Sequence, residues 1–198
     1  MRNQVLLVDE NDVKVGLMEK RAAHEGVGEL HRAISVLIYR PTKFGELEIL
    51  LQKRSAKKPL WPRYWADTTS THPMDGESYE TSTVRRLKEE MGISILEKDL
   101  QLVFKLRYQA RYNKELSENE IDGLLVGQWD GKPELNKNEA EDFSWVAWEK
   151  LERETKRSPK DFAVWLPLIV QDERILELFN RERREVGYGR RYSWTFAG

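Results

Sequence analysis

The 198-residue chain is 39% hydrophobic, enough to bury one substantial core, so a single domain over residues 1–198 is expected. Its 33 Lys+Arg and 34 Asp+Glu leave a formal net charge of −1, which excludes a global field for nucleic acid or an anionic membrane and makes any anion site local. The absence of cysteine excludes disulfides, thiolate metal sites and cysteine nucleophiles.

The first apolar run, at 5–8, is too short for a signal peptide, and no window approaches the ~20 apolar residues of a membrane span. A cytoplasmic protein without nucleic-acid or membrane partners is the expectation. Residues 5–8 and 13–17 flank the polar run Asp9-Glu10-Asn11-Asp12 and read as a hairpin. Strands are expected at 33–39 and 47–52, with a short one at 64–67. Over 79–91, Val84, Leu87 and Met91 recur at helical spacing, and Gly92 is a natural stop. Strands return at 100–108, 121–129 and 143–148. Two helices end the chain, and the longer, over 160–184, turns Phe162, Trp165, Ile169, Leu176 and Phe179 to the core with a kink at Pro167. Strands first, a helix in the middle and helices last describe an α+β sandwich rather than alternating βαβ units. No role for the tail at 188–194 follows from the sequence.

The histidine complement is His24, His31 and His72, each beside a turn or loop signal. Taken singly, each reads equally as a hydrogen-bonded surface residue. Glu118 and Glu120 stand two apart before an apolar strand, so their side chains share a face, where like charges repel unless a cation lies between them. Three imidazoles and two carboxylates make a mixed N/O set suited to Mn²⁺, Zn²⁺ or Fe²⁺. A solvated acidic turn is the plainer reading of the carboxylates alone.

A third element runs from Glu77 into an amphipathic helix, where Arg85, Leu87, Glu89, Glu90, Gly92 and Ile93 follow at fixed spacing. This segment, about 71–93, resembles the Nudix box, with Thr71 in place of its first Gly and Arg86 in place of the Glu after its Arg. The Arg85-Arg86 pair, Glu19-Lys20-Arg21-Ala22-Ala23-His24, Trp61-Pro62-Arg63-Tyr64-Trp65, His72-Pro73-Met74-Asp75-Gly76-Glu77-Ser78 and Glu118-Asn119-Glu120 together resemble the type 1 isopentenyl diphosphate isomerases of that superfamily.

The resemblance implies a Nudix-type α/β/α sandwich with a mixed sheet. It implies Mn²⁺ or Zn²⁺ held by His24, His31, His72, Glu118 and Glu120, with Glu90 helping to hold a Mg²⁺ on the substrate diphosphate. Lys20, Arg54, Lys58 and Arg86 match the cationic positions that grip the diphosphate. Glu120 with Tyr108 matches the acid/base pair, and Trp165 matches an indole whose π face stabilises a carbocation. The family's catalytic cysteine is here Ser70, and a hydroxyl is a far weaker acid than a thiol. Three activities therefore compete: an isomerase interconverting isopentenyl and dimethylallyl diphosphate through Ser70, a Nudix hydrolase cleaving a prenyl or nucleoside diphosphate-type substrate, and a non-catalytic prenyl-diphosphate binder.

Overall fold

The structure is a computed structural model and describes residues 3–191, so the end of the 188–194 tail lies outside the described residues. The expected hairpin forms from β1 (Gln4–Val8) and β2 (Lys14–Glu19), with Leu6 opposite Leu17. Asp9 closes its turn by accepting the Asn11 and Val13 N–H groups, each at 2.9 Å. A one-turn helix, α1 (Lys20–His24), follows, capped by Glu19, whose carboxylate accepts the Ala22 N–H at 2.8 Å. Five residues are too few to carry a periodic signal, so α1 escaped the sequence reading.

β3 (His31–Pro41) is the axis of a nine-stranded mixed sheet. Along one edge it runs parallel to β8 (Ser117–Gln128), and along the other it runs antiparallel to β6 (Thr69–Thr71) and β4 (Leu47–Arg54). β5 (Trp65–Ala66) and β9 (Ala140–Ala147) pair with β4, and β7 (Leu100–Arg111) pairs with β8. Alternation along the strands sorts side chains to two faces. Ile34, Val36, Ile38 and Leu50 pack with Leu87 and Met91 of α2 (Tyr79–Met91), whereas Leu37, Leu47, Ile49 and Leu51 pack with the C-terminal helices. Helices thus cover both faces of the sheet, as the resemblance implied.

α2 is capped at both ends. Ser78 accepts the Thr81 N–H at 3.0 Å, and Gly92, at φ +69°, turns the chain so that the Ile93 N–H reaches the Leu87 carbonyl at 3.1 Å. A Cβ at Gly92 would sit 2.7 Å from the Glu134 Cβ, so the stop needs glycine for space as well as for φ.

The C-terminal region departs from the sequence reading. Instead of one kinked helix over 160–184 there are α4 (Trp165–Val170) and α5 (Glu173–Arg191), preceded by α3 (Trp148–Arg157). Pro167 falls in the first turn of α4, where a backbone N–H has no intrahelical partner to lose, and so it kinks nothing. The break comes at Asp172, whose Oδ1 accepts the Arg174 N–H at 3.0 Å and starts α5 afresh. Among the described residues no helix is long and apolar enough to cross a membrane.

Candidate active site

Strand register assembles the centre. His31 opens β3 directly opposite Glu120 of β8, and Glu120 in turn stands opposite Tyr108 of β7. His72 follows β6, whose Thr71 pairs with Ile34, and His24 closes α1 one turn after Lys20. Strand β8 begins four residues earlier than the sequence suggested, because Glu118 and Glu120 belong to the ladder itself. Their alternation is polar, so an apolar-run criterion passes over it.

The imidazoles are oriented by backbone. His24 Nδ1 lies 2.6 Å from the Lys20 carbonyl and His31 Nδ1 2.7 Å from the Glu29 carbonyl. Each Nδ1–H donates there, which leaves the Nε2 lone pair facing inward. His31 Nε2, His72 Nε2 and Glu120 Oε1 form a triangle with sides of 3.0, 3.2 and 3.3 Å. Ligand atoms of His24, His31, His72 and Glu120 all lie within 4.8 Å of one another. Glu118 joins through His24, its Oε2 2.9 Å from His24 Nε2 but without the angle of a hydrogen bond.

Electrostatics in this cluster are unrelieved. Burial and the Glu120 charge push the Glu118 carboxyl up, while Glu118 draws the His24 imidazole up against its own burial. Burial would raise Glu120 as well, but the imidazoles of His31 and His72 overcome it and hold that carboxyl well below the usual range. Burial and the nearby Lys20 charge drive His72 well below an ordinary histidine, keeping it neutral. The Tyr108 phenol, raised well above its ordinary value by burial and the Glu120 charge, stays protonated and donates to Glu120 Oε2 at 2.5 Å. A neutral His72 and an ionised Glu120 are the protonation states a divalent cation requires of these ligands. Adjacent ligands at bond lengths of about 2.1 Å stand roughly 3.0–3.4 Å apart, which the observed triangle matches. The residues present therefore fit a metal ion.

Beside the cluster lies a cavity of about 60 Å³, whose walls include Lys20, Arg54, Ser70, Tyr108, Glu120 and Trp165. β6 and β8 flank β3 on opposite edges, so Ser70 and Glu120 enter the cavity from opposite sides of β3. Ser70 Oγ donates to Asp67 Oδ1 at 2.5 Å, and the same oxygen accepts Trp165 Nε1 at 2.8 Å. Asp67 is fully buried beneath them. Ser35, opposite Ser70 in the ladder, donates to Asp122 Oδ2 at 2.7 Å.

The four expected cations divide into two kinds. Arg54 gives its guanidinium to the Leu60 and Trp61 carbonyls at 3.0 and 3.1 Å and lies 4.9 Å from the Trp165 ring centre, with no carboxylate partner among the described residues. It braces a loop in which Trp61 and Arg63 adopt φ +44° and +66°, conformations costing about 1–2 kcal/mol each for side chains with a Cβ. Lys20 has no ion-pair partner among the described residues either. Lys58, by contrast, is bonded to Glu139, and Arg86 to Glu89 at 2.9 Å, to Glu139 at 3.3 Å and to the fully buried Glu90. Glu90 is thus paired with Arg86 on the α2 face, outside the imidazole cluster. Glu77, the first acidic match in the box, is bidentate to Arg85 at 2.6 and 2.7 Å and accepts the Met74 N–H, tying the loop to α2.

Sequence reasoning missed Asp67, Asp122 and Glu139. Asp122 was within reach, since it extends the two-residue alternation of Glu118 and Glu120. Glu139 carried no signal, because its pairing with Lys58 and Arg86 joins residues more than 50 positions apart.

The NUDIX domain profile matches residues 29–166. The chain is 37% identical over 166 residues to "Isopentenyl-diphosphate Delta-isomerase 2" of Aromatoleum aromaticum, covering 84% of each chain. It is 39% identical over 171 residues to an isopentenyl-diphosphate Delta-isomerase of Aliivibrio fischeri, covering 85% of this chain and 93% of that one. The fold is shared with DR0079 of Deinococcus radiodurans at a TM-score of 0.61 and 18% identity, over 78% of this chain and 90% of that one. The chain belongs to the type 1 isopentenyl-diphosphate isomerase family of the Nudix superfamily.

Proposed function

We propose that this protein is a metal-dependent isomerase interconverting isopentenyl and dimethylallyl diphosphate. The observation that carries the reading is a cavity bearing Ser70 on one side of β3 and the Tyr108–Glu120 pair on the other, with the Trp165 indole in the same wall. Protonating an alkene at one end and removing a proton beside the resulting cation needs a donor and an acceptor on separate walls. Glu120, ionised and backed by Tyr108, is suited to accept. The Trp165 face offers the electron density that favours a nearby cation, worth about 2 kcal/mol in a desolvated site.

His24, His31, His72, Glu118 and Glu120 would hold Mn²⁺ or Zn²⁺, and a Mg²⁺ would accompany the substrate diphosphate. The metal supplies charge that fixes Glu120 and offsets the carboxylates crowded on β8. Lys20 and Arg54, free of carboxylate partners among the described residues, bind the diphosphate. Lys58 and Arg86 contribute less field, because Glu139 and Glu90 already offset them. That same Arg86–Glu90 pair weighs against the hydrolase reading, which needs the acidic face of α2 open to a metal-activated water.

Incubation with isopentenyl diphosphate, Mn²⁺ and Mg²⁺ in D₂O, followed by NMR and phosphate detection, tests the proposal. Deuterated dimethylallyl diphosphate without released phosphate is expected. Phosphate release with no isomerised product would replace the reading with hydrolysis.

Lys20 adds a pH dependence to binding. Burial, and then the neighbouring charge of Lys58, lower its ammonium to about 8, against the pull of Glu118. The charged form is therefore present below that pH and lost above it, so KM should rise as pH climbs through about 8. Lys20→Met should raise KM at neutral pH and flatten that rise. A KM that stays level across the range in the unaltered protein would rule Lys20 out as a diphosphate contact.

A further inference from the structure

The donor side of the cavity holds a second acid beneath the first. Ser70 lines the cavity, whereas Asp67 does not, and the two are joined by a hydrogen bond of 2.5 Å. Asp67 is fixed from its other directions by Trp165 Nε1 at 2.8 Å and by the Val36 N–H, which reaches Oδ2 at 2.9 Å. When Asp67 is ionised, the Ser70 hydrogen points at the carboxylate and away from the cavity. When Asp67 is protonated, its O–H can donate to Ser70 Oγ, and the serine hydrogen is released toward the substrate.

We propose that Asp67 is the proton reservoir of the donor side, acting through Ser70 as a two-member relay. Resting on the isomerase reading, the step runs as follows. The Asp67 O–H bond breaks as its proton passes to Ser70 Oγ, while the Ser70 proton forms a C–H bond with the terminal alkene carbon using the π electron pair. Glu120 then takes a proton from the carbon on the other side of the cation, and that C–H pair becomes the new double bond. Asp67 ends ionised and Glu120 protonated, and exchange with solvent resets both. A hydroxyl alone is too weak an acid for this task, but a hydroxyl backed by a carboxylic acid transmits the stronger acidity.

Burial strengthens the hold of Asp67 on a proton. Its carboxyl is raised by burial, against the lowering by Ser70, Trp165, the Val36 N–H and Arg54. The charged groups that face it are Arg54 on β4 and Asp122 on β8, the second a like charge. Asp67 is a positioning residue in this account, since Ser70 alone meets the substrate.

The competing role for Asp67 is to anchor Trp165, and a cysteine at position 70 separates the two. A thiol exchanges protons at neutral pH without help, so Ser70→Cys should raise turnover at least about tenfold and make the reservoir dispensable. With isopentenyl diphosphate as substrate, Asp67→Asn and Ser70→Ala should each lower kcat by about 100-fold or more with KM nearly unchanged, and the double variant should be no worse than either. In the Ser70→Cys background, Asp67→Asn should cost less than about threefold. Infrared spectra of the unaltered protein should contain the carbonyl stretch of a protonated carboxyl, shifted by Ser70→Ala and lost in Asp67→Asn.

An equal loss from Asp67→Asn in both backgrounds would overturn the relay in favour of Trp165 anchoring, and unchanged turnover in Asp67→Asn would overturn it outright. Should Asp67→Asn fail to fold, Ser70→Ala decides: an unmoved carbonyl band or undiminished turnover overturns the relay. If the unaltered protein yields no isomerised product, the isomerase reading falls and takes the relay with it.

Discussion

Glu120→Gln lowers isomerase turnover by roughly 1,000-fold or more, the largest effect of any single substitution here. Both oxygens of this carboxylate are committed. Oε1 lies 3.0 Å from His72 Nε2 and 3.3 Å from His31 Nε2, and Oε2 takes the Tyr108 hydroxyl at 2.5 Å. Glutamine keeps the shape but removes the charge that the imidazole nitrogens and a cation require. It also cannot accept a proton from a substrate carbon, and loss of general base catalysis alone costs about 100- to 10,000-fold. Weakened metal retention adds to this. Steady-state rates with isopentenyl diphosphate, alongside metal content by elemental analysis, measure the two losses separately. Turnover within tenfold of the unaltered protein would exclude Glu120 as the acceptor.

Metal loading raises the melting temperature by about 8–16 °C when the free ion exceeds its dissociation constant about 1,000-fold. Binding to the native state alone then contributes about 4 kcal/mol, and 1 kcal/mol moves the midpoint of a chain this size by about 2–4 °C. The physical origin is the crowding around β8. Glu118, Glu120 and Asp122 share one face of the strand, all buried, and burial together with the Glu120 charge pushes Asp122 well above its ordinary range. A cation among them turns mutual repulsion into coordination. Chelator-stripped protein titrated with Mn²⁺ in a scanning calorimeter gives the shift directly, and His72→Ala should remove most of it. A shift below about 2 °C in the unaltered protein would mean that these side chains hold no ion tightly.

The fold was legible where burial is one-sided. α2 declared itself through Val84, Leu87 and Met91, and its end through Gly92, because an amphipathic helix writes its packing face into the sequence period. The C-terminal helices were merged for the opposite reason. The apolar period continues across 171–172, and only the capping carboxylate of Asp172 interrupts the backbone. β6 was hidden because Thr69-Ser70-Thr71 is polar, yet it is held in the ladder by pairing with β3.

The sequence by itself determined the family and the composition of the centre, because spacing within short motifs survives without knowledge of contacts. His24, His31, His72 and Glu120 could be named and their convergence expected, since they were the available nitrogen ligands with an acidic partner on a strand. Only the tertiary structure decided which charges are free. Among the described residues Lys20 and Arg54 line the cavity without carboxylate partners, while Arg86 and Lys58 are held by Glu90 and Glu139. Likewise it put Asp67 under Ser70 and tied both to Trp165, nearly 100 positions away in the chain. Ion pairing and burial are set by distances of a few ångströms between residues remote in sequence, and those distances exist only once the sheet has brought its strands together.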